Sequence, residues 1–108
     1  MKTTFYIVRH GETIGNTQKI IQGHSDTELT ENGIAQAHAI REGLAHINFA
    51  AVYSSDLGRA ISTAEIFLKE SSMDLKTTPL LRERCFGKYE TGLYNNMFEA
   101  NKEFHDLL

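Results

Sequence analysis

Cysteine and proline occur once each among the 108 residues of this chain, and no position carries tryptophan. A lone Cys85 excludes an intrachain disulfide and a thiolate metal cluster, and so fits a reducing, cytoplasmic setting. Excess positive charge is missing as well. Eleven Lys and Arg against fourteen Asp and Glu leave a net charge of −3, which provides no broad attraction to nucleic acid or to anionic lipid. No apolar run is long enough to span a bilayer, and the amino terminus, with one lysine before a short apolar stretch, is neither a signal peptide nor a membrane anchor. The five histidines lack metal-ligand spacing, the carboxylates lack a calcium-loop pattern, and the glycines do not form a nucleotide-binding phosphate loop. Neither a metal nor a cofactor is therefore expected. A phosphorylated partner would have to be held by a local cluster of cations.

What is present is an alternation of short apolar runs and helical patterns. Residues 3–8 form an unbroken β-branched and aromatic run, which predicts a strand covered on both faces and central in its sheet. Residues 11–27 are polar and contain Gly11, Gly15 and Gly23, which predicts a long loop with at most a short helical turn, of the kind that binds something. Thr30 is a good helix cap, and Ile34, Ala37, Ile40 or Arg41, and Leu44 recur at helical spacing, so a helix is expected over about 31–45. Residues 50–53 read as a second strand. Ser54 or Ser55 then caps a helix with Ala60, Ile61, Ala64, Phe67 and Leu68 on its apolar face, ending near Ser71. Residues 75–78 read as a weak third strand that Pro79 punctuates, and residues 96–108 as an amphipathic helix. The alternation gives one α/β domain over 1–108 with a largely parallel sheet.

The chemistry-bearing residues fall at the joints of that pattern. Arg9-His10-Gly11-Glu12-Thr13 lies at the carboxyl end of the first apolar run, where α/β sheets place their sites. Asn16 follows, then Gln22-Gly23 with Asp26, Leu29-Thr30-Glu31-Asn32-Gly33 with Gln36, Ser54-Ser55-Asp56-Leu57 with Arg59-Ala60 and Thr63-Ala64, and Leu81-Arg82-Glu83-Arg84 with Phe86-Gly87 and Glu90. In that order and spacing the set resembles the histidine phosphatase superfamily, which includes cofactor-dependent phosphoglycerate mutases and broad phosphatases. The resemblance implies a three-layer α/β/α phosphoglycerate mutase-like fold, here cut short after about three strands, and a phosphohistidine intermediate on the way to hydrolysis of a small phosphomonoester.

On that reading His10 is the nucleophile, since a neutral imidazole, with an ordinary pKa of about 6.5, has a free ring lone pair at cytosolic pH. Gly11 leaves room for the phosphoryl group, and Glu12 is expected to fix the ring tautomer. Arg9 and Arg59 form a phosphate clamp. Guanidinium forks match the equatorial oxygens of a transferring phosphoryl group, and Arg59 stands in the first turn of its helix. Asn16 resembles the family's asparagine that donates to the same phosphate, although a loop asparagine satisfying its own turn is a close rival. Glu83 is the proton donor to the leaving group, because a carboxyl beside a phosphate dianion holds its proton more tightly. The alternative is a solvated Glu83 paired with Arg82 or Arg84. Gln22 and Gly23 belong to the pocket rim. Arg41, Arg82 and Arg84 read as ordinary surface cations.

The sequence departs from the family at several points. Gly15 and Tyr89 stand where tryptophan is usual, and Arg84-Cys85-Phe86-Gly87 lacks the histidine-tyrosine pair of the mutase branch, which favours a phosphatase over a phosphoglycerate mutase. The family's second active-site histidine has no counterpart, since His105 lies within Glu103-Phe104-His105-Asp106 on the predicted last helix. A catalytically incomplete phosphate-binding or oligomerising fragment is therefore a third reading. Met97, Phe98, Phe104, Leu107 and Leu108 fall on one stripe of that helix and, with the open edge of the first strand, lead to the expectation of a homodimer.

Overall fold

The computed structural model describes residues 2–93, so the expected helix over 96–108, its apolar stripe and the dimer contact assigned to it lie outside the described residues. Helix α1 is a single turn, Ile14–Thr17, inside the long polar loop. Thr13 caps it: the Thr13 hydroxyl accepts from the Asn16 amide, and the Asn16 side chain accepts from the Thr13 amide, which satisfies two end groups reciprocally. Helix α2 spans Glu31–Gly43, capped by the Thr30 hydroxyl on the Gly33 amide at 3.0 Å, with Glu31 in its first turn and Arg41 in its last. Strand β1 is Val52–Ser55, helix α3 is Gly58–Phe67, and strand β2 is Leu75–Thr78. Two 3-10 turns follow, Pro79–Leu81 and Gly87–Tyr89.

Strands β1 and β2 pair in parallel, Val52 opposite Leu75 and Ser55 opposite Thr78. The unit β1-α3-β2 is the predicted strand-helix-strand crossover, and α3 packs on both α2 and β1. The first predicted strand does not form. Residues 3–8 carry no ladder hydrogen bonds, Phe5 is 82% exposed and Ile7 95% exposed, so the run is neither central nor covered. An apolar run becomes a strand only where a neighbour accepts its backbone hydrogen bonds, and the described sheet has two strands, not three. Tyr6 alone is tied down, its ring edge-on to Phe49, which in turn meets Phe67 of α3.

Two further expectations need correction. The apolar residues that recur at helical spacing along α3 are only half-buried, whereas the residues it buries are Arg59 and Thr63, one turn apart. Ser55 does not cap α3 either: its hydroxyl accepts from the Leu57 amide before the helix begins, and Leu57, the cap residue, makes no side-chain cap. The buried apolar residues among those described are Ile21 in the polar loop, Ala37 in α2 and Leu57 at the start of α3. No described helix is long and apolar enough to cross a membrane.

Candidate functional site

An open cavity of about 760 Å³ is lined by Arg9, His10, Gly11, Glu12 and Asn16, together with Lys19 and Gln36. Five residues singled out from the sequence thus meet at one place. The half-buried His10 places Nδ1 2.7 Å from the carbonyl oxygen of Gly11. A carbonyl can only accept, so Nδ1 carries the proton of the neutral ring and Nε2 keeps the lone pair. Burial holds the His10 pKa below the ordinary histidine value; the Gly11 carbonyl opposes this, and the charges of Arg59 and Arg9 lower it further against a smaller contribution from Asp26. The shift favours the neutral ring, whose Nε2 lone pair is not engaged by the Gly11 carbonyl.

The Gly11 turn is held from two sides. Its amide donates to the Thr63 hydroxyl at 3.0 Å, and that hydroxyl donates to the Arg59 carbonyl inside α3 at 2.8 Å. On the other side the backbones of Gly11 and Glu12 cross the first turn of α2 so closely that a Cβ at Gly11 would overlap the Gly33 carbonyl, and one at Gly33 would overlap the Glu12 carbonyl. Glycine at both positions is what allows the crossing. Glu12 does not act on the His10 ring. Its carboxylate accepts from the Thr30 hydroxyl at 2.8 Å, its amide donates to Gln36, and its carbonyl accepts from the Thr30 amide. The histidine tautomer is set by Gly11, and Glu12 fixes the loop to α2.

Arg59 is 3% exposed. Its guanidinium donates to the carbonyls of Ser25 (2.6 Å) and Gly23 (2.7 Å) and to the Asp26 carboxylate (3.1 Å), which leaves two of its five donors, Nε–H and one on the Gly23-bound nitrogen, without a partner among the described residues. Asp26 also accepts from the Arg59 amide at 3.2 Å and so supplies, from a distant loop, the cap that Leu57 cannot give. Arg59 itself lines a neighbouring cavity with Asp26, Ser62 and Glu65, but its charge reaches the His10 ring.

Gln22 is buried and bridges the loop, donating to Thr13 at 2.9 Å and accepting from Thr27 at 2.6 Å. Gly23 takes a left-handed φ of 53° at the point where the loop turns toward Arg59. Arg59, Gln22, Gly23 and Glu83 are the predicted residues that do not line the His10 cavity; Glu83 is exposed, and its carboxylate accepts from its own neighbour, the Arg84 amide. Arg82 makes a two-pronged pair with Asp56 and Arg41 pairs with Glu70, the ordinary surface roles expected of them. No group of three or more His, Cys, Asp or Glu among the described residues could hold a metal ion. Sequence reasoning quoted Thr63, Asp26 and Gly33 but gave them no role, and it did not weigh Thr13. The hydroxyl and glycine positions at the two helix starts were the available signal.

The fold recurs in proteins of known structure. The chain is 42% identical to a phosphoglycerate mutase from Bacillus anthracis, with a TM-score of 0.82, covering 84% of this chain and 41% of that one. Against the alpha-ribazole phosphatase from Shigella flexneri the identity is 32% and the TM-score 0.81, over 92% of this chain and 49% of the other. A mycobacterial glucosyl-3-phosphoglycerate phosphatase gives 30% and 0.82, over 91% and 49%. Among curated relatives, the probable phosphoglycerate mutase GpmB of Yersinia pestis is 44% identical over 85 residues, 79% of this chain and 40% of the relative, so the chain spans well under half the length of that protein. The fold is phosphoglycerate mutase-like, α/β with a short parallel sheet. A family profile described as the histidine phosphatase superfamily (branch 1) matches residues 5–107, and with the His10 turn and the Arg59 pocket in place the chain belongs to that superfamily.

Proposed function

We propose that this chain carries the nucleophile half of a phosphomonoester hydrolase, in which His10 Nε2 takes the phosphoryl group of a small phosphorylated metabolite and water later releases it. The observation that carries this reading is the His10–Gly11 contact, which commits Nδ1 to donation and leaves Nε2 as the lone pair, in a cavity that Arg9 also lines. In the first step the Nε2 lone pair forms a bond to phosphorus as the bond to the leaving oxygen breaks. Arg9 and the two donors of Arg59 that have no partner among the described residues supply charge for the phosphoryl oxygens, and the amide nitrogen of Asn16, whose oxygen accepts from the Thr13 amide, supplies a further donor. In the second step water attacks phosphorus and Nε2 leaves with its electron pair. Solved neighbours named as phosphatases support hydrolysis, and the mutases among the relatives keep phosphoryl transfer between two hydroxyls as the second reading.

The test is phosphate release from an aryl phosphate between pH 5 and 8. A His10→Ala variant should lose turnover altogether, and turnover that survives the substitution would overturn the reading. Glu83 enters as the proposed proton donor through the same assay. Glu83→Gln should slow substrates with poor leaving groups by roughly a hundred- to ten-thousandfold while sparing aryl phosphates. Equal losses for both would remove Glu83 from proton transfer.

A further inference from the structure

The buried Arg59 owes its position to the loop of residues 23–26, and that loop is itself held from the opposite side. Glu90 directs one carboxylate oxygen, Oε2, at two main-chain donors, the amides of His24 (3.0 Å) and Phe86 (3.1 Å). A Cβ at Gly23 would overlap this same oxygen, so the absence of a side chain there is what admits the carboxylate. The main chain beside Glu90 continues the contact: the Thr91 amide donates to the Ile21 carbonyl at 2.7 Å, the Ile21 amide donates to the Gly92 carbonyl at 2.9 Å, and Ile20 bridges to Leu93. Across the loop, the carbonyls of Gly23 and Ser25 face the Arg59 guanidinium. The loop is therefore clamped between an anion on its amide side and a cation on its carbonyl side. Hydrogen bonds to a charged acceptor are the strong ones, and two on one oxygen restrict the loop more than a neutral contact would.

We propose that Glu90 is a positioning residue: it latches the 23–26 loop and through that loop holds the Arg59 guanidinium in place. The inference rests on the reading of His10 and Arg59 as the pair that handles phosphate. The amide of His24 is the main cause, with Phe86 behind it, of a Glu90 carboxyl held below the ordinary range, so the latch is ionised throughout the pH range in which His10 titrates.

The experiment follows the His10 ring by NMR titration in the full chain, which needs no turnover, with the resonance assigned by its loss in His10→Ala. Three charged groups act on that ring, Arg59, Arg9 and Asp26, and only the first and last belong to the clamp. In Glu90→Ala the His10 pKa should rise toward 6.5, to the value found in Arg59→Ala, and the double variant should show no further rise. Glu90→Gln, which retains an oxygen for both amides, should keep the His10 titration close to that of the unaltered chain. Inorganic phosphate, the second probe, should bind about tenfold more weakly to Glu90→Ala, the size of one lost charge-assisted hydrogen bond, and nearly normally to Glu90→Gln. Should Glu90→Ala not fold, Glu90→Asp, which withdraws the carboxylate by one methylene, takes its place in the same comparison. An unshifted His10 in the folded variant, or shifts that add in the double variant, would overturn the latch. Failure of the unaltered chain to bind phosphate would overturn the functional reading instead, and leave the titration to decide the role of Glu90.

Discussion

Residues 3–8 and residues 10–26 are neighbours in sequence and opposites in structure. The first segment is apolar and lies open, with Phe5 and Ile7 among the most exposed large hydrophobic residues described. The second is polar and largely closed: Thr13, Gln22 and the distant Arg59 and Thr63 are buried, and no buried side-chain nitrogen or oxygen among the described residues lacks a hydrogen-bond partner. The usual expectation puts apolar side chains inside and polar ones outside. Here order comes from a network of hydroxyls, amides and one ion pair that holds the His10 turn, while apolar cover is thin. Such a network is specific because each partner fixes the next, and it is vulnerable because any unpaired member remains buried.

The comparison breaks most visibly at Asp26. Asp26→Ala strands a buried guanidinium and uncaps α3 in one step; removal of one partner from a buried pair costs about 3–5 kcal/mol, and the lower end, about 3 kcal/mol, is expected because Asp26 is one-third exposed. Urea unfolding measures it, and a loss below about 1 kcal/mol would place the pair among ordinary surface ion pairs. Next in size is Gly33→Ala. The new Cβ meets backbone on the other side, which cannot swing away, so a cost of about 1–3 kcal/mol by the same measurement is expected from overpacking.

A smaller effect comes from pH. Because the His10 pKa is lowered in the folded chain, the unfolded chain binds more protons between that value and 6.5. Stability from this group is complete above 6.5, declines as pH falls through that window, and is level below the folded pKa. Comparing urea midpoints of the unaltered chain and His10→Gln from pH 8 to 5 should show the unaltered chain losing ground on acidification; the opposite slope would mean that the ring gains a proton on folding. The smallest effect belongs to the open segment. Phe5→Ser and Ile7→Ser should each change stability by no more than about 0.5 kcal/mol, as at any exposed position, whereas a loss of about 2 kcal/mol would show this face covered in solution by another chain or another segment.

Much of this was legible beforehand where the signal is local. Thr30 and the spacing after it give α2 to within two residues of its end, residues 75–78 are strand β2, and Arg9, His10, Gly11, Glu12 and Asn16 meet at one cavity as expected. What escaped depends on contacts across the chain. Residues 3–8 have the composition of a strand, but composition cannot report whether a partner edge exists beside them. Asp26 and Arg59 are 33 positions apart, and Glu90 lies 66 beyond the loop it holds, so no local pattern reveals that either carboxylate serves another segment. The face of α3 was misread for a similar reason: its apolar residues follow helical spacing, yet the burial is decided by Arg59 and Thr63, whose partners lie in the His10 turn and the 23–26 loop.

The central claim is that the Gly11 carbonyl, by engaging Nδ1, leaves Nε2 of His10 as the atom that receives phosphorus. It is tested most directly by incubating the full chain with an aryl phosphate and locating the phosphoryl group by phosphorus–proton correlation NMR at mildly alkaline pH, where phosphohistidine persists. The account predicts phosphorus bonded to Nε2 of His10 and no signal in His10→Ala; phosphorus on Nδ1, or on any other residue while His10 stays unmodified, would contradict it.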